Sequence, residues 1–452
     1  MAETARPEER EREAERGAGK LRGPWILFWV GLVVRLGWMT LAHTYRFRNI
    51  FDHFDFAGEA GRIARALVTG YGYADPFWGH TGPSAWLAPG YPLLLAGIFK
   101  IFGVFTPAAA WVLLAFQSVW NAAVARWVWE VGARSFSRKV AWWAAWIWVL
   151  WPGAMEYALR LPWETSVSAA LFTWALVIAL RMRRVGNEND AGENQNHGDG
   201  MTWGRWAAWG TIWAALGLLN PSLLIFLPCV GIWLLMGHEW PVSRAMAGAA
   251  MAAAIWIAVM MPWWVRNERV FHTFVPFRAN LGVEVCLGNC YGPDGLLLQW
   301  KHPYLDSQEL ARYREVGELA YGREKMAQAK AVIRGNPSEF VRMCLLRADY
   351  FWFAVPHGVD HPWTDWTRKL GFSVVSIVGV LGGVLAWRRR RPAAGLYMLA
   401  LLTVPVPYYA VIVLARFRHP LEPLLTVLAV YLFQSAEKSW RVRGLGVIRQ
   451  KV

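Results

Sequence analysis

The chain has 452 residues, 56% of them hydrophobic and only 17% charged, against about 25% charged in a soluble domain. Its apolar residues fall in blocks of roughly 16–25, the length that crosses a hydrocarbon core, so the composition excludes an ordinary soluble globule and predicts an all-α polytopic membrane protein. The formal net charge of +15 is not read as a nucleic-acid footprint, because most of the excess Arg and Lys sits in short loops, where it sets membrane orientation.

In chain order, residues 1–23 read as a charged cytoplasmic tail with no cleavable signal pattern. Ten spans are predicted, at about 24–42, 107–131, 139–155, 162–181, 205–219, 222–237, 244–264, 369–387, 394–414 and 419–436. The block 88–104 is short, opens on Pro and Gly and carries Lys100 near its end. It is read as re-entrant or interfacial. A cytoplasmic N-terminus puts Arg134, Arg138, Lys139, Arg181, Arg183, Arg184 and the run Arg388 to Arg391 on the inner side, as the positive-inside rule requires.

This order divides the chain into an N-terminal membrane region at 24–264, an external helical cap at 265–365, C-terminal membrane helices at 366–437 and a basic cytoplasmic tail at 438–452. The first external loop, 43–106, lies inside the N-terminal region. The stretch from Gly186 to Gly200 is an Asn-, Gly- and Asp-rich connector. No sustained internal repeat is visible.

The first external loop carries the acids. Ala60, Ile63, Ala64, Leu67 and Val68 recur at helical spacing and make one apolar stripe. Glu59 stands at its edge, Asp55 one turn earlier and Asp52 just before. The reading is an interfacial helix, with solvated surface acids as the plainer alternative. TGPSAWLAPGYP follows. Such irregular backbone at a membrane must be buried in protein or line a polar cavity.

In the cap, Asp306 or Ser307 with Glu309 starts a predicted helix running toward Arg334, and Asn336, Pro337 and Glu339 give a second helix start. Cys286 and Cys290 are compatible with a disulfide or with two free thiols. Cys229 and Cys344 read as packing residues.

Further polar groups fall at outer span ends: Glu156, Arg160 and Glu164; Asn220; Arg266 and Asn267; Arg416, Arg418 and His419. Arginine suits phosphate through its bidentate fork, and the alternative at each position is snorkelling. The sequence has no Walker loop, no H-E-x-x-H, no G-x-S-x-G and no metal-ligand cluster. These absences argue against a nucleotide-driven pump, a zinc protease and a lipase-type hydrolase.

Several pieces then occur in a specific order. They are the acidic helix before GYG, APGYP and IFG, LNPSLLIFLP, PWWVRN with FVPFRANLGVEVCLGN, the helical loop with GELAY and NPSEF, and ARFRHPLEPLL. Together they resemble bacterial membrane glycosyltransferases of the C-type (GT-C) fold, and more narrowly the family 39 group related to protein mannosyltransferases and lipid A aminoarabinose transferases. The resemblance implies a transferase that takes sugar from a polyprenyl-phosphate donor on the outer face of the cytoplasmic membrane. It also implies a catalytic base in the first external loop.

The family pattern places an Asp about eight residues before the Ala that matches Ala64, which falls on Phe56. The candidates for the base are therefore Glu59, Asp55 and Asp52. Arg416, Arg418 and Arg266 are expected to hold the lipid phosphate, with His419, Arg160 and Glu156 nearby. Transfer would be inverting, with no cofactor and no metal site expected; the partners are the lipid-linked sugar, an acceptor and membrane lipids, with no nucleic acid. The competing readings are a transporter or lipid flippase and a non-catalytic scaffold of the same fold.

Overall fold

A computed structural model describes residues 23–47, 56–186, 200–236, 240–292, 301–355 and 362–449. Asp52 and Asp55 lie outside the described residues. Within them the chain is helical, apart from one isolated antiparallel bridge between Ala74 and Pro83.

The first half comprises α1 (Trp25–Leu41), α2 (Gly58–Val68), α3 (Gly90–Phe102), α4 (Pro107–Ser135), α5 (Arg138–Leu150), α6 (Pro152–Leu159), α7 (Thr165–Met182) and α8 (Trp203–Leu219). A 3-10 turn at Pro221–Phe226 leads into α9 (Leu227–Met236), and α10 (Val242–Phe271) follows. The cap holds α11 (Leu281–Asn289), α12 (Ser307–Val316), α13 (Glu318–Gly335) and α14 (Pro337–Phe353). The last part is α15 (Pro362–Arg388), α16 (Ala394–Thr403), α17 (Val406–Ala410), a 3-10 turn at Ala415–Leu421 and α18 (Glu422–Arg449).

Every predicted span overlaps a helix, but among the described residues four helices are long and apolar enough to cross a membrane by length and composition. Prolines explain two of these cases. Pro152 divides the predicted span 139–155 into α5 and α6, and Pro405 divides 394–414 into α16 and α17. Proline lacks the N–H that an uninterrupted helix needs and its ring clashes with the preceding turn. In the cap, Asp306 starts α12 by accepting from the N–H groups of Gln308 and Glu309 at 2.8 and 3.2 Å. The single helix expected from there to Arg334 is two, because Gly317 at φ 80° breaks it. Asn336 caps α14 as expected, accepting from the Glu339 N–H at 3.2 Å, with Pro337 as the first helical residue.

The main apolar core runs through α4, α5, α7, α8 and the last helices. Close helix approach depends on small residues: a Cβ on Gly132 of α4 would come within 2.9 Å of the Ala141 backbone of α5. Charges inside this core are closed off. Arg35 of α1 is fully buried and donates to Asn121 Oδ1 at 2.8 Å and to the carbonyls of Gly31, Val149 and Trp148. Glu130 of α4 accepts from Arg134 at 2.8 Å and from both Nε and Nη2 of Arg181 at 2.7 and 2.6 Å. An unpaired charge there would cost several kcal/mol, and both of these are paired.

The first loop and the cap are fastened to each other. Glu318 accepts from Ser84 Oγ at 2.7 Å, the Ala85 N–H at 2.6 Å and the Tyr313 hydroxyl at 2.8 Å. The Ala279 N–H donates to Ala85 O at 2.7 Å. Burial pushes the Glu318 carboxyl above its ordinary range, against the pull of these donors. Cys286 and Cys290, left open by the sequence, are joined as a disulfide on one face of α11, with Cα atoms 5.0 Å apart.

Candidate active site

The site begins with a sharp entry into α2. Ala57 and Gly58 both have positive φ, 69° and 50°, which turns the chain directly into the helix. Phe56 anchors the turn. It is buried, with ring centroids 5.1, 5.2 and 5.6 Å from Phe47, Phe99 and Phe105. The position where the family pattern puts an acid is thus the aromatic peg of the turn. The predicted stripe is found, with Ala60, Ile63 and Ala64 buried, but Arg62 and Ala66 are buried as well. α2 is therefore packed inside protein on more than its apolar stripe.

Glu59 is in the first turn of α2, with 19% of its side chain exposed. Burial raises its pKa; its own backbone N–H, Arg416 and Arg62 pull the other way. The helix N-terminus also favours the ionised form, and burial still wins.

A second carboxyl shares this field. Glu284, in the first turn of α11, is half-buried and accepts from Asn280 Nδ2 at 3.0 Å. Burial pushes it up to about 7; Arg278 and Arg416 lower it, while Glu59 raises it further.

Two guanidinium groups stand with these acids. Arg416 lies with Cζ 3.9 Å from the centroid of the Trp163 ring, and its Nε is buried without a hydrogen-bond partner. Arg278 is half-buried three residues before α11. Neither shows an ion pair or side-chain hydrogen bond among the described residues. Trp163 itself stands where a Cβ on Gly58 would touch its ring edge at 3.5 Å, so the indole links Arg416 to the start of α2. Arg62, fully buried, donates to Phe77 O at 2.8 Å and lies 4.2 Å from the Trp78 ring centroid.

His302 of the cap completes the wall. Its Nε2 is 3.9 Å from Glu59 Oε1. Its ring meets Phe77 and Trp86 edge-on, both at 5.5 Å. Burial pushes its pKa down to about 4, so the imidazole is neutral at ordinary pH.

The structure thus brings Glu59 and Arg416 into one site. It gives the other expected phosphate ligands internal partners. Arg418 is buried and donates to Ser376 Oγ at 2.7 Å, Phe372 O at 3.1 Å, Trp352 O at 3.2 Å and Glu422 Oε1 at 3.4 Å. His419, fully buried, meets Glu422 Oε2 through Nδ1 at 2.7 Å. Arg266 donates to Ser84 O, Tyr73 O and Asn267 Oδ1 at 2.6, 2.7 and 2.9 Å, holding the turn between α2 and α3. Glu156 and Arg160 are exposed at the end of α6. Glu284, Arg278, His302 and Trp163 escaped sequence reading. Arg278 and Glu284 lay within a motif already noted, FVPFRANLGVEVCLGN, but nothing in its spacing marked them. Among the described residues no group of three or more His, Cys, Asp or Glu is arranged to hold a metal ion.

No family model matches the sequence, and no curated protein matches it. Solved structures do match in fold. The archaeal oligosaccharyltransferase AglB from Archaeoglobus fulgidus, in complex with an inhibitory peptide and a dolichol-phosphate, aligns with a TM-score of 0.52 and 15% identity over 93% of this chain and 52% of its own. The apo form of the Archaeoglobus fulgidus oligosaccharyltransferase aligns with the same TM-score and coverage at 13% identity. ArnT from Cupriavidus metallidurans bound to undecaprenyl phosphate aligns at a TM-score of 0.35 and 12% identity, over 90% of this chain and 77% of its own, too distant to argue from. The fold is that of the C-type membrane glycosyltransferases. The chain spans about half the length, 52%, of the oligosaccharyltransferase structures it matches.

Proposed function

We propose that this protein is a membrane glycosyltransferase that moves a sugar from a polyprenyl-phosphate donor to an acceptor at the outer face of the cytoplasmic membrane. One observation carries the reading: two guanidinium groups with no hydrogen bond or ion pair among the described residues stand with the acids on a C-type glycosyltransferase fold, Arg416 acting on both Glu59 and Glu284 and Arg278 on Glu284. Charges inside a protein are normally paired. Two arginines without hydrogen-bond partners, beside carboxyl groups, suit a ligand that brings an anion and a proton to be removed. The oligosaccharyltransferase of like fold was solved with a dolichol-phosphate, which agrees with a lipid-phosphate donor.

In this reading Glu59 accepts the proton of the acceptor's O–H or N–H as that atom bonds to the anomeric carbon. The bond from the anomeric carbon to the phosphate oxygen breaks, and its electron pair leaves on the phosphate. Arg278 and Arg416 stabilise that charge. A single displacement inverts the anomeric centre. No nucleotide or cofactor enters. The reading includes ten spans and a cytoplasmic N-terminus, supported by the Arg-rich short loops.

The test is transfer from lipid-linked sugars by the purified, reconstituted protein. Glu59→Gln keeps the shape and removes the base, and should lower kcat by about 10²–10⁴-fold. Full activity in that variant would overturn Glu59 as the base.

A further inference from the structure

We infer that His302 is a positioning residue for Glu59, acting as a fixed N–H donor that holds one carboxylate oxygen and leaves the other for the acceptor. The inference rests on the reading of Glu59 as base, and geometry carries it. The Tyr304 N–H donates to His302 Nδ1 at 3.1 Å. In a neutral imidazole one nitrogen accepts and the other carries the proton. With Nδ1 accepting, the proton is on Nε2, the nitrogen that faces Glu59 Oε1 at 3.9 Å.

The ring cannot easily turn away, because Phe77 and Trp86 meet it edge-on. Those two rings pack against each other at 4.8 Å and belong to the turn between α2 and α3. His302 is thus held by the first loop while reaching from the cap. The distance of 3.9 Å exceeds a hydrogen bond, and such contacts shorten when substrate binds.

His302 is also kept from acting as the base itself. Its Nδ1 is engaged, its Nε2 is protonated, and burial opposes a second proton. The groups that face Glu59 are Arg62 from its own helix, Arg416 from the 3-10 turn before α18, Glu284 from α11 and His302. Glu309 of α12 acts on His302 electrostatically. Of these, His302 is the neutral donor.

Three substitutions separate positioning from packing. His302→Asn offers an acceptor to Tyr304 N–H but no donor that reaches Glu59. His302→Gln places an amide N–H where Nε2 was. His302→Phe keeps a ring against Phe77 and Trp86 and has neither function. A donor to a carboxylate favours its ionised form. The Asn and Phe variants should therefore move the acidic limb of kcat/KM upward by about half a pH unit or more and lower kcat, with donor KM unchanged. The Gln variant should restore both. An isotope-edited infrared titration of the Glu59 carboxyl, identified by its absence in Glu59→Gln, should show the same displacement without any need for turnover.

An acidic limb and a Glu59 titration that stay put in all three variants would overturn the inference. So would a wild-type profile in Asn with a damaged one in Gln, which would make Tyr304 the only partner that matters. If an Asn variant does not fold, the Gln and Phe pair decides the question. Full activity in Glu59→Gln would instead overturn the proposed base, while the infrared titration still reports on His302.

Discussion

Arg416 and Arg418 stand two residues apart in one 3-10 turn, Ala415–Leu421, and they live in opposite surroundings. With about three residues per turn, neighbours at this spacing point to different sides. Arg418 is turned into the protein and has four acceptors, including Glu422. Arg416 lies on Trp163 with its Nε buried and unpartnered. The Nε of each is buried without a hydrogen-bond partner; what separates the two is that the terminal nitrogens of Arg418 have acceptors while Arg416 shows no hydrogen bond or ion pair among the described residues. The same contrast separates the core charges Arg35 and Glu130, both saturated, from the pair Arg278 and Arg416. Under the proposed function, Arg278 and Arg416 are the pair that a ligand's phosphate would complete.

The sharpest way to break this comparison is to neutralise each side. Arg278→Gln with Arg416→Gln should weaken donor binding by about 10²-fold or more, since charge-assisted hydrogen bonds contribute roughly 1.5–3 kcal/mol each. Thermal stability should be nearly unchanged. Titration of the reconstituted protein with a polyprenyl phosphate checks both halves of the expectation, and unaltered affinity would remove the phosphate role. Arg418→Gln should do the reverse. It leaves the buried Glu422 with His419 alone and should cost about 3 kcal/mol of stability, read as a lower unfolding temperature in detergent. Donor affinity of the folded fraction should stay at the wild-type value.

How much of this was legible in the sequence depended on the kind of signal. Apolar blocks announce membrane helices directly, so the helical class and the ordered motifs were readable, and the fold implied by the resemblance is the one found. Span integrity was less readable, because hydropathy averages over a proline such as Pro152 or Pro405. The apolar stripe of α2 was visible, yet its full burial was not, since Arg62 looks like a surface residue until its carbonyl partner at Phe77 is known. Arg416 and Arg418 look alike in ARFRHP, and only the partners tell them apart. Glu284 and His302 reach the site from a cap far away in sequence, and no local periodicity encodes that meeting. Phe56 shows the opposite case: a position that looked like a lost acid is an aromatic anchor built into the turn.

The smallest expected effect tests whether the open site behaves as one electrostatic unit. Glu284 has its pKa raised to about 7 by burial, from an ordinary value of 4.5. A carboxyl raised on folding favours the folded state while protonated. That contribution is present below the ordinary value and is lost as pH rises through about 7. The same deprotonation puts a negative charge beside the arginines and opposes an incoming phosphate. Donor affinity should therefore fall about three- to tenfold as pH rises through this value, and Glu284→Gln should bind the donor with no such fall. Glu59 pulls the other way, because a base must be deprotonated and burial has raised its pKa as well. Wild-type kcat/KM should rise on the acid side as Glu59 ionises and decline on the alkaline side as Glu284 does. In Glu284→Gln the alkaline decline should vanish, with the acid limb left in place because Glu284 is still uncharged on that side. An unchanged alkaline limb in that variant would separate Glu284 from the donor site and leave Glu59, Arg278 and Arg416 as its charged core.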